Sequence, residues 1–123
     1  MAIVMQKKAI EKNSCMIEFK IQDYDEAAIP VSNITAATIT LRDKSTGEII
    51  NYLEDENVLG NINDEGQFSY ELGAAYNIIV STSNMTDYET HVATIVITSN
   101  KGGNNIEIER EIWIQVKNEQ YVS

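Results

Sequence analysis

Residues 89–98 read Glu-Thr-His-Val-Ala-Thr-Ile-Val-Ile-Thr, and residues 106–116 read Ile-Glu-Ile-Glu-Arg-Glu-Ile-Trp-Ile-Gln-Val. Between them lies a polar stretch, residues 99–105, that carries Gly102 and Gly103. Two long runs of period two on either side of a glycine turn predict an antiparallel β-hairpin with one face buried and one wet. This hairpin restricts the chain to the β class and says nothing of chemistry.

The same alternation predicts further strands at residues 16–22, where Ile17, Phe19 and Ile21 share a face, and at about 36–42, where Ala37, Ile39 and Leu41 do. Others follow at 48–52 and at 67–72, the latter with Phe68, Tyr70 and Leu72 on one side. Asp43-Lys44-Ser45-Thr46-Gly47 reads as a hairpin loop ending in glycine. Pro30, the only proline, places residues 23–33 in a connection or at an edge. The first segment reads as a short helix or an extended arm, and residues 74–80 as a strand or one helical turn. Strands every 10 to 20 residues, with turn signals between, imply a sandwich of two antiparallel sheets with about seven strands. The expected organisation is an N-terminal arm at 1–14, a sandwich domain at 15–118 and a C-terminal tail at 119–123.

Composition narrows the partners. Nine Lys and Arg stand against nineteen Asp and Glu, a formal net charge of −10, and the basic residues are dispersed. No footprint for phosphate backbones results, so direct nucleic-acid binding is not expected. No apolar run is long enough to span a membrane, and none of the first residues reads as a leader. Cys15 is the only cysteine, so the fold is expected to need no internal disulfide.

Residues that could carry chemistry are few. Glu54-Asp55-Glu56 and Asp64-Glu65 share one loop and read as solvated acids, not as a carboxylate pair across a cleft. Residues 61–66 have a faint calcium-loop pattern, but Leu72 stands where that loop needs a bidentate Glu. One histidine and one cysteine make no zinc site. His91, on the face of Ala93, Ile95 and Ile97, reads as a satisfied, half-buried histidine, and Cys15 as a small buried or strand-edge residue. No catalytic, metal-ligating or cofactor-binding residues and no cofactor are therefore expected. In strict alternation Arg110 falls on the isoleucine face, and it requires an acid such as Glu71 or Glu89, or a bulge that re-phases the strand. Trp113 falls on the opposite face beside Glu111 and Gln115. It is core if the N-terminal arm covers that face, and an interface or ligand-stacking residue if the face is open. An eleven-residue final strand spans about 37 Å and so bends or reaches beyond the sandwich.

The pattern Ala36-Ala37-Thr38-Ile39-Thr40-Leu41-Arg42-Asp43, followed by Ser45-Thr46-Gly47-Glu48, resembles the opening hairpin of small immunoglobulin-like structural proteins of tailed-bacteriophage virions. Asp64-Glu65-Gly66-Gln67-Phe68 and Glu89-Thr90-His91-Val92-Ala93 are similar to later segments of such chains. The resemblance implies an all-β, immunoglobulin-like antiparallel sandwich and a non-enzymatic role in the virion: capsid decoration, auxiliary head protein, head–tail adaptor or tail component. The implied partners are major capsid, portal or tail proteins, with many copies or a homo-oligomer on the particle. Trp113, Tyr121 and Val122 are the expected interface residues. The paired cysteines of secreted immunoglobulin domains are missing. The alternative is a carbohydrate-binding or adhesion module of the same fold, with Tyr24, Tyr76, Tyr88 and Trp113 as candidate stacking residues.

Overall fold

Alternation of aliphatic and polar residues becomes seven strands in a computed structural model that describes residues 3–10, 12–22, 29–80, 88–101 and 103–117. They are β1 (Ile3–Ile10), β2 (Cys15–Lys20), β3 (Ile34–Asp43), β4 (Glu56–Asn57), β5 (Gln67–Leu72), β6 (Tyr88–Lys101) and β7 (Asn104–Lys117). Five strands form one sheet in the order β1-β7-β6-β3-β4, and β2 and β5 form a second. All pairings are antiparallel except β1 with β7, which is parallel from Ile3 opposite Arg110 to Ile10 opposite Lys117. The chain is an all-β sandwich of two packed sheets.

The hydrophobic core lies between the sheets. Ala37, Ile39 and Leu41 of β3, Ala93, Ile95 and Ile97 of β6, and Ile108, Ile112, Ile114 and Val116 of β7 supply one side. Ile17 and Phe19 of β2 with Phe68 and Leu72 of β5 supply the other. Phe19 and Phe68 stand opposite each other in the ladder and stack with ring centroids 5.0 Å apart. Such a pair adds about 0.5–1.5 kcal/mol beyond its buried area.

The closing hairpin is longer than its sequence pattern alone. Both strands have fourteen residues, and the pairing continues to Lys101 opposite Asn104. Asn100 Oδ1 accepts the Gly103 N–H at 3.2 Å, and Gly103 takes φ +86°, which a glycine adopts at no steric cost. The tip stands clear of the core, because Asn104 to Glu107 are exposed. Ile106, expected on the buried face, is therefore outside, 39% exposed, since the second sheet does not reach that far.

Three further expectations are settled by the backbone. Of the two conformations open to the first segment, the chain takes the extended one: residues 3–10 form a strand at the edge of the large sheet and no helix. Residues 74–76 form a single 3-10 turn, the helical option for that stretch. The strand expected at 48–52 is absent. Arg42 and Ile49 form one isolated bridge, and then Ile50 to Leu53 close a tight turn, Leu53 N–H to Ile50 C=O at 3.1 Å. Its central residues, Asn51 and Tyr52, both have positive φ (49° and 61°), the geometry of a type I′ turn. Leu41 donates to the Leu53 carbonyl and accepts from the Ile50 N–H, each at 2.9 Å, so the turn docks on β3 and drives Ile50 and Leu53 into the core. The segment folds this way because Ile50 and Leu53 are three residues apart and cannot share one face of a strand.

Arg110 is inward, as strict alternation requires, and 4% exposed. The β6–β7 register runs without a shift, so no bulge moves it. Its guanidinium donates to the main-chain carbonyl of Gln22 and, at 3.4 Å, to that of Glu109.

Tyr52 combines a left-handed backbone, which costs an ordinary residue about 1–2 kcal/mol, with a side chain 94% exposed. Tyr52→Gly creates the Asn-Gly pair that type I′ turns prefer and removes no packing. We expect it to raise the unfolding free energy by about 1 kcal/mol, read as a higher urea midpoint at unchanged slope. A lower midpoint would show that the turn is not as described.

Candidate functional site

The turn after β3 organises both faces of the large sheet. Gly47 N–H bonds to the Asp43 carbonyl at 2.8 Å, Asp43 N–H bonds to the Glu48 carbonyl at 2.9 Å, and the Thr46 hydroxyl donates to Asp43 Oδ2 at 2.9 Å. Lys44 N–H bonds to the Thr90 carbonyl at 3.0 Å. That last bond makes Asp43 and His91 a directly opposed pair of the non-hydrogen-bonded kind, in which side chains approach most closely. Asp43 points inward, and Lys44 is exposed.

On the inner side Asp43, Glu89 and His91 form a buried polar cluster. They are 1%, 6% and 0% exposed, and one ligating atom from each lies within 4.8 Å of the others. His91 Nε2 is 2.6 Å from Glu89 Oε1, which also accepts the Val80 N–H at 2.8 Å. With Glu89 ionised, Nε2 is the protonated nitrogen, and the imidazole is held in one tautomer by that bond. Asp43 Oδ1 and His91 Nδ1 have no hydrogen-bond partner among the described residues. Glu89 was a candidate partner for Arg110 on sequence grounds; here it binds His91, itself fully buried instead of half-buried. Glu89 and His91, two apart in a strand, visibly share a face in the sequence. Asp43 reads there as a turn residue, and only the β3–β6 register brings it across.

On the outer side stands Trp113. The N-terminal strand adds to the sheet edge-on, with Gln6 opposite Trp113, and does not lie over the indole. Trp113 is half-buried; its Nε1–H donates to Glu111 Oε1 at 2.9 Å, and Lys44 Nζ sits 4.8 Å from the ring centroid. A cation over an indole contributes about 0.5–1 kcal/mol at an exposed site. Gln6, Lys44, Thr90, Trp113 and Gln115 line a shallow cavity of about 240 Å³. Val92, Thr94, Val96 and Thr98, all half-buried, continue this face. It mixes these Val and Thr side chains with charged and polar neighbours such as Glu111, Gln115 and Lys44 around one pinned aromatic. Tyr52, which the sequence pattern places at the end of a strand, is exposed elsewhere; its signal would have been the Asn-Tyr pair in a turn.

The other candidates do not converge. Tyr88, 40% exposed, shares the outer face with Trp113 but lies in a separate groove of about 480 Å³ with Lys8, Ile10, Cys15 and Lys117. Tyr76 packs against the core. Tyr121, Val122, the 119–123 tail and Tyr24 lie outside the described residues. Asp64 and Glu65 are exposed in the turn before β5, where Asn63 Oδ1 accepts the N–H groups of Glu65 and Gln67. That is a backbone-capping turn.

Cys15 is half-buried at the start of β2, with Asn77 Nδ2 3.6 Å from its sulfur. Burial raises its thiol pKa, against smaller opposing effects of that Asn77 contact and of Lys7. It is kept as thiol at neutral pH and is a poor nucleophile. Alkylation by iodoacetamide at pH 8, followed by mass spectrometry, is expected to run about tenfold slower in the folded chain than in urea. Equal rates would refute the burial effect. No protein-family model matches the chain, and no curated protein matches it.

Proposed function

We propose that this chain is an immunoglobulin-like structural module of a tailed-phage virion that works without catalysis, by surface contact with neighbouring virion proteins. The strand order supports the immunoglobulin-like reading. β3, β6 and β7 lie side by side as the third and last two strands do in such sandwiches, and β2 pairs with β5 in the opposing sheet. The observation that carries the functional reading is the outer face of the large sheet. It presents half-buried Val and Thr side chains around an indole already fixed in place by Lys44 and Glu111. A pre-ordered aromatic loses little side-chain entropy when a partner covers it, which is why Trp dominates protein–protein hot spots. The net charge of −10 keeps free copies apart until they meet a complementary surface.

The test is incorporation into particles. Trp113→Ala is expected to lower the number of copies that co-purify with assembled particles at least tenfold, the loss of about 1.4 kcal/mol or more of contact energy. Its circular dichroism and cooperative melting should be retained. Normal incorporation would sink the reading. Clear glycan-array binding by a monomer that never associates with particles would replace it with the carbohydrate-binding alternative.

A further inference from the structure

The inner cluster has no part in a docking face, and its charge poses a separate problem. Two carboxylates, Asp43 and Glu89, are buried with one imidazole. Buried charges persist in proteins when they are paired, hydrogen-bonded or bound to a metal. Glu89 is met by Val80 N–H and His91, and Asp43 Oδ2 by the Thr46 hydroxyl. The atoms left over are of one kind. With the Nε2 proton committed to Glu89, His91 Nδ1 presents a lone pair, and so does Asp43 Oδ1. Two lone pairs in a buried cluster call for an electropositive guest between them.

From this we propose that Asp43, His91 and Glu89 form a buried site for a divalent transition ion, with zinc the best-fitting probe. Asp43 Oδ1 and His91 Nδ1 are its protein ligands, and water entering with the ion completes a four-coordinate shell. Glu89 orients the imidazole through Nε2, the carboxylate–histidine–metal arrangement that fixes the tautomer and raises ligand basicity. An imidazole nitrogen with a carboxylate oxygen suits zinc better than calcium or magnesium, which favour all-oxygen sites. Ligands at about 2.1 Å from a common ion stand at most about 4.2 Å apart. One ligating atom from each of the three residues lies within 4.8 Å of the others, so the cluster is near that size. The ion would tie the end of β3 to the start of β6 and, through Glu89, to the main chain at Val80.

Because the site is closed, loading is tested on the full chain refolded from denaturant with zinc chloride or with chelator, then dialysed. One zinc per chain is expected by atomic spectroscopy. A melting temperature higher by about 10 °C is expected at zinc a hundredfold above its Kd. Asp43→Asn should abolish both effects, and Asp64→Asn, in an exposed loop, should change neither. Retention of well under one zinc, an unchanged melting temperature, or undiminished binding by Asp43→Asn overturns the proposal. Should Asp43→Asn fail to fold, nitrogen NMR of the wild type decides, because His91 is the only histidine. A zinc-dependent shift at Nδ1 supports the site, and an imidazolium protonated on both nitrogens, or no shift, overturns it.

Discussion

An unbroken ladder between β6 and β7 governs the rest of the molecule. Fourteen residue pairs run from Tyr88–Lys117 to Lys101–Asn104 without a shift. Because side chains alternate strictly, one register fixes the side of every residue on both strands. Ala93, Ile95, Ile97, Ile108, Ile112 and Ile114 go inward and make the core, and Glu89, His91 and Arg110 are carried in with them. No local adjustment could expel these three without turning the aliphatics out to water. The connecting chain accommodates them instead: the Gln22 carbonyl meets Arg110, and the Val80 N–H meets Glu89. Segments with no regular structure are thus positioned by polar groups the ladder has forced inside.

The turn at residues 43–47 is the second organising element. Consecutive residues of a strand end face opposite sides, so Asp43 enters the buried cluster while Lys44 covers Trp113. Two distinct surfaces, one sealed and one open, hang on a single hairpin. A change in this turn would be felt on both.

Most of the sandwich is legible in the sequence because half-buried antiparallel strands write their burial as alternation; β2, β3, β5, β6 and β7 all do. The first strand was not distinguishable from a helix, since Lys7-Lys8-Ala9-Ile10 breaks the alternation and the parallel partner that holds it lies at the far end of the chain. The 48–52 segment reads as a strand because Ile49 and Ile50 suggest one, and neither Asn51 nor Tyr52 is the glycine that normally announces a positive-φ turn. The outward direction of Trp113 follows from counting residues. The Asp43–Glu89–His91 cluster does not, because it needs a cross-strand register that no local pattern encodes.

The parallel seam between β1 and β7 ties the order of folding to the order of synthesis. Its partners are more than a hundred residues apart, and bringing them together carries a chain-closure cost that local hairpins escape. β6 and β7 can zip as a hairpin, but β1 has no strand to join until β7 has been made. A growing chain would therefore hold β1 unpaired until β7 had emerged, leaving a strand edge open while the intervening strands are made. The two lysines near its end are charges of the kind that discourage such an edge from pairing with another chain in the interval.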